Sequence, residues 1–126
     1  MRQNQKGLGL VELLFSFAFM VLVLLFALYV LSAAHHLSEE SRGRLLALNA
    51  ARSTLEAIKN TALVNVPAIN TAQYVPADLR NGAIAIATNP ANLAGVQVAT
   101  ITVNVTWNGP RNRPMQYQIT TMRSRF

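Results

Sequence analysis

Residues Leu13–Leu31 read LLFSFAFMVLVLLFALYVL, nineteen positions without a charge, in which Ser16 and Tyr29 supply the only polar side-chain atoms. At 1.5 Å per residue a helix of this length spans roughly 28 Å, close to the ~30 Å of a bilayer's hydrocarbon core. Leu8, Gly9, Leu10 and Val11 extend the stretch backwards, interrupted only by Glu12, and no second stretch is long enough to return. Arg2 and Lys6 precede the run, and the first charges after it are Glu39 and Glu40. The excess of positive charge before the span keeps that end cytoplasmic and sends the remainder across the membrane. A cleaved secretory signal is the competing reading, because Ser32-Ala33-Ala34 are small. Its apolar region would run only ~7–15 residues, shorter than this one, and would not hold a carboxylate.

Glu12 is the exception within the stretch. A charge at mid-membrane costs on the order of 2.5–3.5 kcal/mol on insertion scales, less near the edge. Either the carboxylate reaches the headgroups or it has a partner charge in an assembly.

The surrounding residues, Lys6-Gly7-Leu8-Gly9-Leu10-Val11-Glu12 followed at once by a long apolar run, resemble the processing site of type IV pilins and of the related type II secretion pseudopilins. In that family a short basic leader ends in Gly, and a prepilin peptidase cuts after it on the cytoplasmic side. The new N-terminal residue is methylated, and a Glu stands at the fifth mature position. The resemblance implies cleavage between Gly7 and Leu8, N-methylation on Leu8, and an assembly role for Glu12. That role is pairing with the N-terminal amine of a neighbouring subunit, which offsets the burial of both charges. The family usually carries Phe and Thr at the first two mature positions, where this chain has Leu8 and Gly9.

Beyond the span the pattern turns amphipathic. Leu45, Leu48, Leu55, Ile58 and Ala62 recur at helical spacing, with Arg42, Asn49, Arg52, Ser53, Glu56 and Lys59 among the remainder. No proline interrupts residues 8–66, so one continuous helix is expected to about residue 62, with the leucine face against a small domain. Residues 63–82 read as a connecting loop with one short turn. Three strands are expected: 83–88, 96–107 and 115–122. In the second, Val96 and Val98 share one phase while Ile101, Val103, Val105 and Trp107 share the other, which predicts a bulge or bend at Ala99-Thr100. In the third, Met115, Tyr117 and Ile119 share a face. The Gly- and Pro-rich segment 108–114 joins the last two as a hairpin. Val103-Asn-Val-Thr-Trp107 and the strand after it look like the C-terminal sheet of minor pilins of the V type and pseudopilins of the I type.

The expected architecture is therefore α+β. A long N-terminal helix, membrane-spanning in its first half and amphipathic in its second, packs on a small antiparallel β-sheet. The segments are a leader at 1–7, a transmembrane or filament-core helix at 8–32, its amphipathic continuation at 33–62, and a β-sheet domain at 63–126.

Composition narrows the function classes. The 126 residues carry 11 Lys and Arg against 5 Asp and Glu, a net charge of +6, with charged residues at only 13%, below the ~25% of ordinary soluble domains. With no Cys there is no disulfide, no thiolate metal site and no thiol nucleophile. Adjacent His35 and His36 project about 100° apart on a helix and make a poor chelating pair. Asp78 is the sole Asp, and no phosphate- or dinucleotide-binding loop is present. Asn104-Val-Thr106 fits a glycosylation acceptor but falls inside an expected strand. The expectation is a non-enzymatic protein without a cofactor or small-molecule substrate. Its partners would be prepilin peptidase, other pilin or pseudopilin subunits and the inner membrane, and its final location a periplasmic or cell-surface filament. Two alternatives stand beside a minor pilin: a secretion pseudopilin, and a single-span membrane-anchored binding protein. A DNA-binding competence pilin is a further variant, resting on Arg111 and Arg113 in the basic hairpin loop.

Overall fold

The structure, a computed structural model, describes residues 3–125, with side chains from Gly7 onward. Met1 and Arg2 of the expected leader, and the side chain of Lys6, lie outside the described residues. The elements are helix α1 (Gln3–Asn60), 3-10 helices at Leu63–Ala68 and Thr71–Tyr74, strand β1 (Ala83–Asn89), strand β2 (Val98–Asn108), a 3-10 turn at Pro110–Asn112 and strand β3 (Pro114–Ser124). The chain divides into two compact units, residues 1–38 and 39–126.

In the first unit, the described side chains from Leu8 to Leu31 are exposed throughout. Helix α1 is long and apolar enough to cross a membrane. Its backbone hydrogen bonds are satisfied internally, so the apolar side chains can all face lipid or other apolar helices.

In the second unit, the last turns of α1 lie against an antiparallel sheet of order β1-β2-β3. Register is one-to-one in both pairings, from Ala83 opposite Thr106 to Asn89 opposite Thr100, and from Val98 opposite Ser124 to Asn108 opposite Pro114. No bulge interrupts β2, which corrects the phase switch expected at Ala99-Thr100. Ala99, Ile101, Val103, Val105 and Trp107 alternate inward without a break. Val98 is 56% exposed and Val96 precedes the strand. Both valines belong to the outward phase or the approach to the strand, and β-branched residues suit either face of a sheet. In β3, Met115, Tyr117 and Ile119 share the inward face as expected.

The helix face against the sheet meets the expected one at Ile58, which is buried, and at Leu55, which packs against the core, and otherwise differs from it. Ala47, Ala50, Ala51, Thr54 and Ile58 are buried, while Leu45 is 59% exposed and Ala62 is exposed. Leu48 and Leu55 are half-buried at the margin. The physical reason is volume. The sheet presents Ile101, Val103, Val105 and Trp107, and small residues opposite let the two backbones approach while the core stays filled. Thr54 enters this face because its hydroxyl donates to the Ala50 carbonyl at 2.9 Å and so is satisfied locally. At Gly43 the approach is tightest, since a Cβ there would lie 3.0 Å from Trp107 Nε1.

The segment 63–82 is more ordered than a loop with one turn. Leu63, Val66 and Leu79 join the core, and Thr71 Oγ1 donates to the Ile84 carbonyl at 3.0 Å. The end of α1 is closed from β3: the Arg123 guanidinium donates to the carbonyls of Ile58, Lys59 and Thr61. The Lys59 carbonyl is one that a helix C-terminus leaves without an intrahelical partner, the Ile58 carbonyl also accepts from Thr61 N–H at 3.3 Å, and a cation there complements the helix dipole.

Candidate functional site

The residues Gly7, Leu8 and Glu12 lie on α1, on backbone that is helical without interruption from Gln3. A Cβ added at Gly7 or Gly9 meets nothing within 4 Å. Glycine at both positions weakens the helix by about 1 kcal/mol each relative to alanine, so this is where the backbone opens most readily. Leu8 is 71% exposed and Glu12 is exposed. The described surface of the first unit thus carries one carboxylate at the start of a charge-free apolar helix.

His35 and His36 are neighbours on α1, the first exposed and the second half-buried. Among the described residues no group of three or more His, Asp or Glu is placed to hold a metal ion. Asn104 lies mid-strand, opposite Ala85 on one side and Gln118 on the other.

Arg111 and Arg113 sit on the exposed connection between β2 and β3. Arg111 and Asn112 adopt left-handed backbone, with φ of 59° and 60°. The connection is pinned by Gly109 N–H donating to the Arg113 carbonyl at 2.8 Å and by Asn108 Nδ2 donating to Asn112 Oδ1 at 3.1 Å. Both guanidinium groups therefore project from a defined turn into solvent. The other cations of the second unit are partly engaged. Arg42 pairs with Asp78 at 3.0 Å and Arg44 with Glu40 at 2.7 Å, both at the surface, and Arg123 closes the helix.

No family model, curated protein or solved structure matches this chain. The residues that the sequence pattern missed are Arg123, and the small-residue face Ala47, Ala50 and Ala51. The alanines do carry a signal, helical spacing at i, i+3 and i+4. Leucines at similar spacing nearby obscured it. Arg123 has no local signal, because its partners are more than sixty residues away.

Proposed function

We propose that this protein is a structural subunit of a type IV pilus-type filament, a minor pilin, and that its chemistry is assembly rather than catalysis. It is made as a membrane precursor with a short basic leader, cut after Gly7 by prepilin peptidase and methylated on Leu8. Residues 8–32 leave the bilayer to bundle with the same segment of other subunits. Glu12 pairs there with the N-terminal amine of a neighbour, so that neither charge is buried alone. The observation that carries this reading is the juxtaposition of Gly7, a single carboxylate at Glu12 and an unbroken helical segment, Leu8 to Leu31, whose apolar side chains are all exposed. A secretion pseudopilin uses the same steps and differs in its filament. A plain membrane anchor needs neither the glycine nor the carboxylate.

The test is the intact mass and N-terminal sequence of the protein recovered from its native membrane. The expected product begins at Leu8 with one added methyl group. An intact Met1 terminus, in cells that process other prepilins, would sink the reading in favour of the retained anchor. Gly7→Ala is the companion variant. An added Cβ has free space at Gly7, so loss of processing would report on the peptidase and not on a disturbed fold.

A further inference from the structure

Strand β3 ends the sheet, with β2 on one side and, among the described residues, no strand on the other. Gly109 N–H donates to Arg113 O at one end of the β2–β3 ladder, and Arg125 N–H to Gln97 O at the other, each at 2.8 Å. With one-to-one register between them, the odd-numbered residues of β3 direct their backbone groups to β2. The even-numbered residues Gln116, Gln118, Thr120 and Met122 direct their N–H and C=O groups to the open side. Natural sheets protect such edges with charge, proline, a bulge or a covering segment. On β1, Thr71 Oγ1 from the neighbouring 3-10 helix donates to the Ile84 carbonyl. Strand β3 carries proline and charge only at its ends, at Pro114 and Arg123; from Met115 to Met122 there is neither, and no bulge breaks the register.

Beside this edge lies an apolar groove of about 830 Å³, formed between residues 41–48 of α1 and the start of β3. Leu45, Leu48, Trp107, Met115 and Tyr117 line it. The sheet stops short of the leucine side of the helix, which leaves Leu45 largely exposed and Met115 and Tyr117 half-covered. The charged residues lining the groove are Arg42 and Arg44. Their ion pairs with Asp78 and Glu40 lie at the surface, where such a pair contributes only about 0–1 kcal/mol. Residues 39–126 carry nine Lys and Arg against four Asp and Glu.

We infer that β3 accepts a fourth strand from a different polypeptide. The occupant is an extended segment with apolar side chains at alternate positions, which enter the groove over Leu45 and Leu48, and with carboxylates that meet Arg42 and Arg44. Backbone pairing supplies the attachment, and the alternate pockets and the charge supply the choice of partner. A second copy of this chain fits poorly, because edge-to-edge pairing would bring two arginine-bearing grooves together in a protein of net charge +6. The inference rests on residues 39–126 and not on the filament reading, so either can fail alone.

The test uses the full ¹⁵N-labelled chain in detergent micelles, with amide hydrogen exchange read by NMR. The probe is a synthetic ten-residue peptide alternating valine with glutamate and threonine. At saturation it is expected to slow exchange at Gln116, Gln118 and Thr120 at least tenfold. A peptide with lysine for glutamate is expected to do nothing. Leu45→Glu is expected to abolish the protection while Trp107 fluorescence stays native, since Leu45 is an exposed position. Three results would overturn the inference: unchanged exchange at millimolar peptide, equal protection by the lysine peptide, or protection that rises with protein concentration when no peptide is present. The last would make a second copy the occupant.

Discussion

Arg123 ties the end of β3 to the end of α1, since its guanidinium reaches three carbonyls at the close of the helix. Hydrogen bonds that involve a charged group contribute about 1.5–3 kcal/mol. Arg123→Ala should therefore destabilise the second unit by about that amount. Arg123→Lys should recover only part of it, because an ammonium group lacks the planar fork that spans several acceptors. Chemical denaturation followed by Trp107, the single tryptophan and 4% exposed, reads both variants. Glu12 makes the opposite kind of contribution, since its value is expected only between subunits. Glu12→Ala removes a carboxylate from an apolar helix, so membrane insertion and cleavage after Gly7 should be unimpaired. Filament incorporation should fall sharply, and normal incorporation measured in sheared filaments would refute the pairing assigned to this residue.

The elements assemble by matching small residues on the helix to large ones on the sheet. Two substitutions separate this arrangement from burial of the leucine face. Ala50→Leu inserts volume where the helix meets β2 and should cost about 1–3 kcal/mol or more through overpacking. Leu45→Ala removes a side chain that solvent already reaches, and should change stability by no more than about 0.5 kcal/mol. If the two effects were reversed in denaturant titrations, the leucine stripe would be the packed face. The strand pattern misled at Val98, whereas Val96 lies before the strand and packs half-buried against the core. A valine on the outward phase at the start of the central strand looks in sequence like a core valine, and only the partner strand's register assigns its face. The alternation of β3 had no such ambiguity, because its outward positions are Gln, Thr and Met rather than valine.

The chain joins an apolar segment without polar cover to a cationic domain in which the Met115–Met122 stretch of the β3 edge holds neither charge nor proline. For the DNA-binding variant of the function, the relevant groups are Arg111 and Arg113 on the β2–β3 turn. If both contact phosphates, reversing them to Glu should weaken DNA binding for all sequences alike. The slope of log affinity against log salt should fall by about 2, one for each lost contact. A titration in which the slope is unchanged removes these arginines from any nucleic-acid role. Neither outcome bears on the proposed cleavage after Gly7, a position remote in sequence from the turn.

Much of this was legible in the amino-acid order, because it depends on local composition. The length of the helix follows from an unbroken stretch without proline, its capacity to span a membrane from nineteen uncharged residues, and the three strands from period-two alternation. The proposed processing residues Gly7, Leu8 and Glu12 were likewise readable as neighbours on one short stretch. What only the tertiary structure decided concerns residues far apart in the chain. Which helix face is buried depends on the volumes presented by β2, not on hydrophobicity alone. The role of Arg123 depends on where β3 ends relative to α1. The open edge of β3 depends on the sheet having no fourth strand. Each of these is set by packing between distant segments, where shape and backbone pairing outweigh the preference of any single residue.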